Sequence, residues 1–344
     1  MLKHLRANLW LLGLSLLLCC VIYPGLLLLC GQTFFASQAN GSLILDSTGK
    51  PIGSRLIAQP FTGDEYFQPR PSAVSYNAAA SGASNWGANN YLLRDRVARQ
   101  LGPIVKYRGG ANAGKHVAPD IEAWFQKDRA NGKPGIVGQW AAAHPTVAQN
   151  WVKTDPANAA YVTAWQSTHA DDVAHWIKHN PDSRQPKPED LAVDFFTSFS
   201  HEHPGTFPAA VEHKSAGGKT EKRIEPVKEG ADIQATFFDL WRQEHADADL
   251  EPVPADMVMA SGSGLDPHIT LKNALYQLDR VAGKWAAITR LEPVEVRREI
   301  KSLLERSASA PFDGLVGVEL IHVLEVNLEL RQLYRPQGAG EAAK

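Results

Sequence analysis

Cysteine is scarce in this 344-residue sequence, and its three copies are confined to one apolar run. Cys19, Cys20 and Cys30 all fall between residues 9 and 31, and the chain after that run has none. Disulfides and thiol chemistry are therefore excluded from residues 32–344, whatever compartment they occupy.

The sequence also lacks an excess of charge of either sign. Lys and Arg number 35 against 37 Asp and Glu, which leaves a formal net charge of −2. Nucleic-acid-binding domains usually present a strongly basic surface, so this balance argues against a nucleic-acid partner. The composition is that of a globular protein, with 44% apolar and 21% charged residues, and the length allows one large or two modest domains.

Only one long apolar run is present. Residues 9–31 carry no charged side chain, and the next charge after Arg6 is Asp46. Because about 20 apolar residues span a bilayer as a helix, the run predicts a transmembrane helix. Lys3 and Arg6 precede it, so the positive-inside rule predicts that residues 1–8 are cytoplasmic and that most of the chain is extracytoplasmic. A cleaved signal peptide and a lipoprotein are the alternatives. The apolar core of a signal peptide is usually only about 7–15 residues long, and Leu29 precedes Cys30 where a lipoprotein needs a small residue.

Strand-like and helical patterns follow the predicted anchor. Residues 43–57 resemble a hairpin, residues 214–229 a polar loop, and residues 314–330 a strand-rich end. Apolar residues at helical spacing predict seven helices, at residues 91–101, 145–153, 157–179, 188–200, 231–246, 270–285 and 292–306. The predicted fold class is α/β: one N-terminal transmembrane helix, then an extracytoplasmic α/β domain that carries a mostly helical insertion.

Six short motifs follow the apolar run in a fixed order, at residues 41–44, 56–61, 66–73, 81–87, 260–268 and 323–328. Together they resemble the C subunit of the Kdp potassium-transporting ATPase, and residues 260–268 match that family's pattern without a mismatch. Two single residues and one segment depart from it. Ala58 and Ala83 stand where the family usually has glycine, and residues 317–322 read Gly-Val-Glu-Leu-Ile-His where the family has Gly-Glu-Pro-Arg-Val-Asn.

The resemblance implies a function in a complex. It implies an accessory, non-enzymatic subunit in the inner cell membrane that crosses the lipid once. The partners would be a potassium-channel-like A subunit and an ATP-hydrolysing B subunit, with potassium as the transported ion. Members of the family are described as assisting assembly and raising the ATP-binding affinity of the hydrolysing subunit. ATP is thus implied only through the complex, and no covalently bound cofactor is expected.

The resemblance also sets the predicted domain bounds. Residues 32–102 and 252–332 form the predicted extracytoplasmic α/β domain, and residues 333–344 a flexible tail. Residues 103–251 have no counterpart in the family pattern and are predicted to form an inserted helical lobe. This insertion holds six of the nine tryptophans and nine of the twelve histidines.

The candidate interface residues come from the polar motifs. They are Arg70, Pro71, Ser72, Tyr76, Asn77, Ser84, Asn85, Ser261, Gly262, Ser263, Gly264, Asp266 and His268. Ser263, Asp266 and His268 invite comparison with a hydrolytic triad, but three residues within six positions rarely converge as triad members must. A structural or interface function is favoured, and no catalytic residue is predicted.

Histidines of the insertion raise an alternative. His175 and His179 lie four residues apart, on one face of a predicted helix, and His201 and His203 form a second cluster. Imidazole pairs at such spacing can bind zinc or copper, although spacing alone is a weak criterion, so no metal is expected. The competing function is a membrane-tethered, histidine-rich metal-binding protein or hydrolase.

Overall fold

The computed structural model describes most of the chain, namely residues 2–46, 48–129, 134–181, 185–214, 220–230, 232–310 and 314–334. It divides into two compact units. The first joins Met1–Ser84 to Met259–Lys344, and the second is Asn85–Val258. The predicted tail at residues 333–344 lies outside the described residues, except for Leu333 and Tyr334.

The N-terminal apolar run forms a continuous helix. Its parts are α1 (Leu2–Leu17), one π-helical turn (Leu18–Ile22) and α2 (Tyr23–Phe34). Pro24 has no backbone N–H, and just before it the Tyr23 N–H bonds Leu18 O, five residues back. The predicted apolar helix is confirmed and extends beyond residues 9–31 at both ends. It has 33 residues, its apolar surface is unburied, and among the described residues no other helix is long and apolar enough to cross a membrane.

The remaining elements follow in chain order: α3 (Ala36–Ala39), β1 (Leu43–Leu45), β2 (Pro51–Ser54), α4 (Tyr91–Ile104), a 3₁₀ turn (Gly110–Asn112), α5 (Ala118–Gln126), α6 (Ile136–Ala143), α7 (Pro145–Thr154), α8 (Pro156–Thr168), α9 (Ala170–His179), α10 (Ala192–Glu202), β3 (Phe207–Lys214), β4 (Thr220–Val227), α11 (Ile233–Glu244), α12 (Ala255–Val258), β5 (His268–Thr270), α13 (Leu271–Thr289), α14 (Pro293–Ser307), β6 (Leu320–His322) and α15 (Val323–Tyr334). The strands form three antiparallel pairs, β1–β2, β3–β4 and β5–β6. The predicted mixture of helix and strand is confirmed.

Three helices build the core of the first unit. Apolar side chains of α13, α14 and α15 pack together with Phe67, which is fully buried, and with the β5–β6 pair. The buried face of α13 recurs at helical spacing, as the sequence predicted, at Ala274, Leu278, Val281, Ala282, Trp285 and Ala286.

The strand-rich end predicted at residues 314–330 is wrong for most of its length. Only Leu320–His322 is a strand, and α15 begins directly after it. Val323, Val326, Leu330 and Tyr334 are buried at spacings of three to four residues, which places them on one face of a helix. The tertiary core therefore overrides the β-propensity of the valines.

The second unit contains α4 to α12 and the β3–β4 pair. Its larger core is aromatic, with stacked or edge-on rings such as Trp140 on Phe196 and Phe125 on Phe237. The prediction of a mostly helical insertion agrees with this unit, but two helices, α5 and α6, were not predicted. The predicted helix at residues 157–179 breaks at His169 into α8 and α9.

The polar loop predicted at residues 214–229 is wrong. Thr220–Val227 is the strand β4, which pairs with β3 over eight residue pairs, and only residues 215–219 between the strands lie outside the described part. Ile224 is buried between the charged residues Arg223 and Glu225, so it alone could show the alternation of apolar and polar residues that marks a strand. One apolar residue was too weak a pattern for a strand prediction.

The unit boundaries differ from the predicted domain bounds. Helix α4, predicted to belong with residues 32–102, lies in the second unit because it packs on α11. A Cβ on Gly102 would lie only 1.9 Å from Gln234 O, so this glycine lets the two backbones approach. The described division falls at Ser84/Asn85 and Val258/Met259.

Candidate functional site

The two longest polar motifs meet in the first unit. Side-chain and backbone hydrogen bonds join residues 70–77 to residues 260–268, about 190 positions further along the chain, and we call this contact the loop junction. The Ser72 hydroxyl donates to Gly264 O at 2.6 Å. The sequence-predicted residues of both motifs therefore belong to one site.

Backbone hydrogen bonds reinforce the loop junction. Ser261 N–H donates to Pro71 O at 3.3 Å, and Gly82 N–H donates to Ser263 O at 2.9 Å. The Ser263 hydroxyl accepts the Leu265 N–H at 3.1 Å, so it is used within its own loop. Side chains and backbone groups thus supply hydrogen-bond partners to two irregular loops that have no sheet or helix to do so, although Arg70 Nε is buried without a partner.

Ser72 and Tyr76 hold the first loop in shape. The Ser72 hydroxyl accepts the Tyr76 N–H at 2.9 Å, and the Tyr76 hydroxyl donates to Arg70 O at 2.8 Å. Ser75 and Tyr76 both have positive φ, a conformation that L-residues adopt only when their surroundings impose it. Burial raises the pKa of Tyr76, so its hydroxyl stays protonated and remains a donor at neutral pH.

Asp266 is the charged centre of the junction. Its carboxylate lies 3.5 Å from Arg70 Nη1 and accepts the His268 backbone N–H at 3.0 Å. Burial disfavours its ionised form, but the hydrogen bonds from His268, together with the charges of His268 and Arg70, hold the pKa of Asp266 below its ordinary value. Its stabilising contribution is thus present above the unfolded-state pKa and is lost only as the pH falls through the lowered folded value.

The remaining predicted candidates are Asn77, Ser84, Asn85 and Gly262. Asn77 Oδ1 accepts the Ala79 N–H at 3.0 Å, which shapes the next turn. Ser84 is the last residue of the first unit before the break, while Asn85, with φ of +51°, opens the second unit. Gly262 is exposed at the tip of its loop.

The structure does not assemble the triad considered from the sequence. His268 Nδ1 lies 3.3 Å from Asp266 Oδ1, while the Ser263 hydroxyl bonds the Leu265 N–H. A triad needs the histidine between the nucleophile and the acid, with hydrogen bonds to both. The Ser263 and Asp266 side chains instead accept backbone N–H groups of their own loop and so stabilise its conformation.

The candidate metal ligands do not converge either. His175 and His179 have ring centroids 4.4 Å apart, but His179 Nδ1 is engaged with His175 O at 2.9 Å. The ring of His203 packs on Phe199, and His201 lies on the exposed side of α10. Within the described ranges, no group of three His, Cys, Asp or Glu side chains is placed to hold a metal ion.

Sequence reasoning missed two buried amides that position the first loop. Asn327 of α15 bonds both backbone groups of Phe67, each at 2.8 Å. Gln277 of α13 does the same for Gln68, at 2.8 and 3.0 Å. In the sequence, each amide could be noticed only as a polar residue on an otherwise apolar helix face. For Asn327 even this was not visible, because its segment was predicted to be a strand.

Two further side chains extend this support towards residue 64. Arg280 donates to Asp64 O and Tyr66 O at 2.9 and 3.1 Å, and the Trp285 indole donates to Glu65 O at 2.8 Å. Every carbonyl from residue 64 to residue 68 is therefore bonded by a side chain of α13 or α15. This segment leads directly into the loop junction, so the helical core fixes where the junction begins.

Gly264 should be the least replaceable glycine of the junction. It has φ of +69°, and a Cβ there would lie 2.7 Å from Val74 Cγ2 and 2.8 Å from Gly82 O. We expect Gly264→Ala to lower the unfolding free energy of the first unit by about 1–3 kcal/mol, the usual size of imposed backbone strain. Chemical denaturation measures the unfolding free energy, and hydrogen exchange of residues 70–77 shows whether the loss is local to the junction.

Gly262→Ala is the matched control for that variant. It lies two positions away in the same loop, and nothing lies within 4 Å of its added Cβ. We expect it to stay within about 0.5 kcal/mol of the unaltered chain, as surface substitutions usually do. Equal effects of the two variants would show that the loop junction does not depend on the close approach at Gly264.

The chain thus has one apolar N-terminal helix and a folded unit in which the loop junction connects residues 70–77 with residues 260–268. The family model described as K+-transporting ATPase, c chain (KdpC) matches residues 5–123 and 209–332. The chain belongs to this family, whose members are subunits of the potassium-transporting ATPase. The unmatched residues, 124–208, form a shorter stretch than the insertion predicted at residues 103–251, because the family model also matches residues 103–123 and 209–251.

Named relatives agree with the family assignment. Similar proteins include the potassium-transporting ATPase KdpC subunit of Pseudomonas syringae pv. tomato, 41% identical over 131 residues that cover 35% of this chain and 69% of the relative. The subunit of the same name from Methanosphaerula palustris is 50% identical over 93 residues, 27% of this chain and 50% of the relative. That from Caulobacter vibrioides is 39% identical over 149 residues, 40% of this chain and 76% of the relative.

Proposed function

We propose that this chain is a single-span, non-catalytic accessory subunit of an ATP-driven potassium importer. It assists assembly and raises the ATP-binding affinity of the ATP-hydrolysing subunit. The observation that carries this proposal is the family match, which covers both the apolar helix and the two halves of the loop junction. Its partners are the channel-like A subunit and the ATP-hydrolysing B subunit, which move potassium into the cytoplasm.

The effect on ATP is indirect in this proposal. Lys3 and Arg6 precede the apolar helix, which favours a cytoplasmic N-terminus and an extracytoplasmic location for the folded units in the inner membrane. ATP is cytoplasmic, so the folded units have no access to it. Coupling therefore passes through the membrane-embedded partner subunits, whose conformational equilibrium this chain would bias.

Co-purification tests the proposed function. Tagged chain extracted in mild detergent should bring down two larger membrane proteins with potassium-stimulated ATPase activity. Omitting the chain should raise the KM for ATP at least about fivefold, the lower end of ordinary coupling between sites. Adding the purified chain back should restore the lower KM. Extraction of the chain alone, or an unchanged KM, would overturn the proposal.

Thiol labelling tests the orientation. In a chain with Cys19, Cys20 and Cys30 changed to alanine, we expect Thr48→Cys, at an exposed turn, to react with a membrane-impermeant reagent in intact spheroplasts. Ala7→Cys, near the N-terminal end of the apolar helix, is the control and should react only after lysis. The reverse pattern would place the folded units in the cytoplasm and would reopen a direct contact with ATP.

A further inference from the structure

The segment that follows the apolar helix folds back onto the end of that helix. Phe35 leaves the helical conformation, with φ of −135° and ψ of 38°, and the short α3 follows at once. The side-chain amides of Gln32 and Asn40 bond each other reciprocally, at 3.3 Å in both directions. A Cβ on Gly31 would contact Ala39 Cβ at 3.6 Å, which confirms the close approach. The chain therefore reverses here instead of extending away from the helix.

The β1–β2 hairpin is tied to this reversal. Ser42 N–H donates to Ser37 O at 2.8 Å, and the Ser54 hydroxyl donates to Gly41 O at 2.7 Å. Leu43 follows Asn40 by three residues, and consecutive Cα atoms are 3.8 Å apart, so the strand begins within about 11 Å of the amide pair. The hairpin is thus held close to the last turn of the apolar helix.

The two faces of the hairpin differ in what they contact. Ile44 and Gly53 are paired in the register and face inward, and a Cβ on Gly53 would lie 2.5 Å from the Leu324 side chain of α15. Leu43 and Leu45, on either side of Ile44, are 51% and 54% exposed, and the register of the pair shifts between Ile44 and Leu45. Leu56, just after β2, is 60% exposed.

This outer face continues the apolar surface of the helix end. Phe34 and Phe35, where the helix stops, are 77% and 60% exposed. The headgroup layer on each side of a bilayer is only about 5–8 Å thick beyond the hydrocarbon, and aromatic residues favour that depth. Because β1 begins within about 11 Å of Asn40, whose side chain bonds Gln32 in the last turn of the helix, the hairpin starts in this layer or just above it.

We propose that the outer face of the β1–β2 hairpin lies in the lipid headgroup layer, so that Leu43, Leu45 and Leu56 contact the acyl boundary. The proposal rests on the membrane anchoring proposed above. The position is set by this chain's own hydrogen bonds, so the hairpin reaches the lipid without any partner. Its effect is to fix the tilt of the folded unit against the membrane surface, as interfacial apolar faces do in peripheral proteins.

Site-directed spin labelling of the full-length chain tests this inference. With the three native cysteines changed to alanine, a nitroxide is placed by Leu45→Cys, and the chain is reconstituted alone into vesicles of phosphatidylcholine and phosphatidylglycerol. Collision rates with oxygen, which concentrates in lipid, are compared with those of a water-soluble nickel chelate. We expect the Leu45 label to favour oxygen over the chelate at least twofold more than a control label on the same unit.

Val294→Cys supplies that control, because Val294 is even more exposed, at 77%. It follows α13, whose 19 residues place it about 28 Å from the β5 end of that helix, where β6 contacts the hairpin through His322 and Arg55. A Leu14→Cys label, within the uncharged part of the helix, reports insertion itself.

Each outcome decides the proposal. Lipid exposure at Leu14 and Leu45 but not at Val294 supports it. Lipid exposure at Leu14 with water exposure at Leu45 overturns it while leaving the anchor intact. If Leu45 is water-exposed alone and becomes shielded from both reagents only after co-reconstitution with partner subunits, the occupant is a protein and the lipid proposal is wrong. Water exposure at Leu14 would refute the anchor, and the inference with it.

Discussion

Replacing Asn327 with leucine should destabilise the first unit by about 2–6 kcal/mol, because it leaves two buried backbone groups without partners at about 1–3 kcal/mol each. The Asn327 side chain is fully buried and bonds both the N–H and the carbonyl of Phe67 at 2.8 Å. Leucine is close in size, so the loss would arise from hydrogen bonding more than from a cavity. For a domain of marginal stability, this loss approaches the whole of its folding free energy.

The measurement is denaturant unfolding in detergent, together with hydrogen exchange of residues 64–70. The Phe67 amide should lose its protection first, because its acceptor is removed. Gln332→Leu is the control, since Gln332 is exposed on the same helix and its change should cost no more than about 0.5 kcal/mol. If both variants unfolded at the same denaturant concentration, the hydrogen bonds from Asn327 to the Phe67 backbone would not contribute to the stability of residues 64–70.

Excision of the whole second unit should leave the first unit folded. The break points are close in space, because Gly82 N–H bonds Ser263 O at 2.9 Å, near Ser84 and Met259. A Gly/Ser linker of about eight residues can reach up to about 27 Å, more than this gap requires. Replacing residues 85–258 with it should preserve a cooperative melt and co-purification with the partner subunits, because lengthening or shortening a loop changes closure entropy only slightly.

A shorter excision is the informative comparison. Replacing only residues 108–246 removes α11 but keeps α4, whose Gly102 lies against the backbone of Gln234. The exposed α4 should then promote aggregation, although the first unit is unchanged. If the protein that lacks residues 85–258 also aggregated, the second unit would be needed to complete the fold of the first. The two units would then not be separately stable.

Local patterns predicted the elements whose signals are strong and contained within one segment. The apolar helix required only an uninterrupted run, and α13 and α14 required only apolar residues at helical spacing. The motif order identified the family, and the family match confirms it. The predictions failed where one residue carried the pattern, as in β4, and where β-branched residues supplied a helix face, as in α15.

The amino-acid sequence by itself thus determined the apolar N-terminal helix, most other helices and the family, because each depends on residue types at a fixed spacing or order along the chain. Only the tertiary structure decided that residues 70–77 meet residues 260–268, that Asn327 and Gln277 bond an extended segment, and that α4 belongs with α11. These contacts join residues far apart in the chain, and no local periodicity records them. The same reason applies to the β1–β2 hairpin, where Gly53 packs against the Leu324 side chain while Leu43 and Leu45 remain more than half exposed.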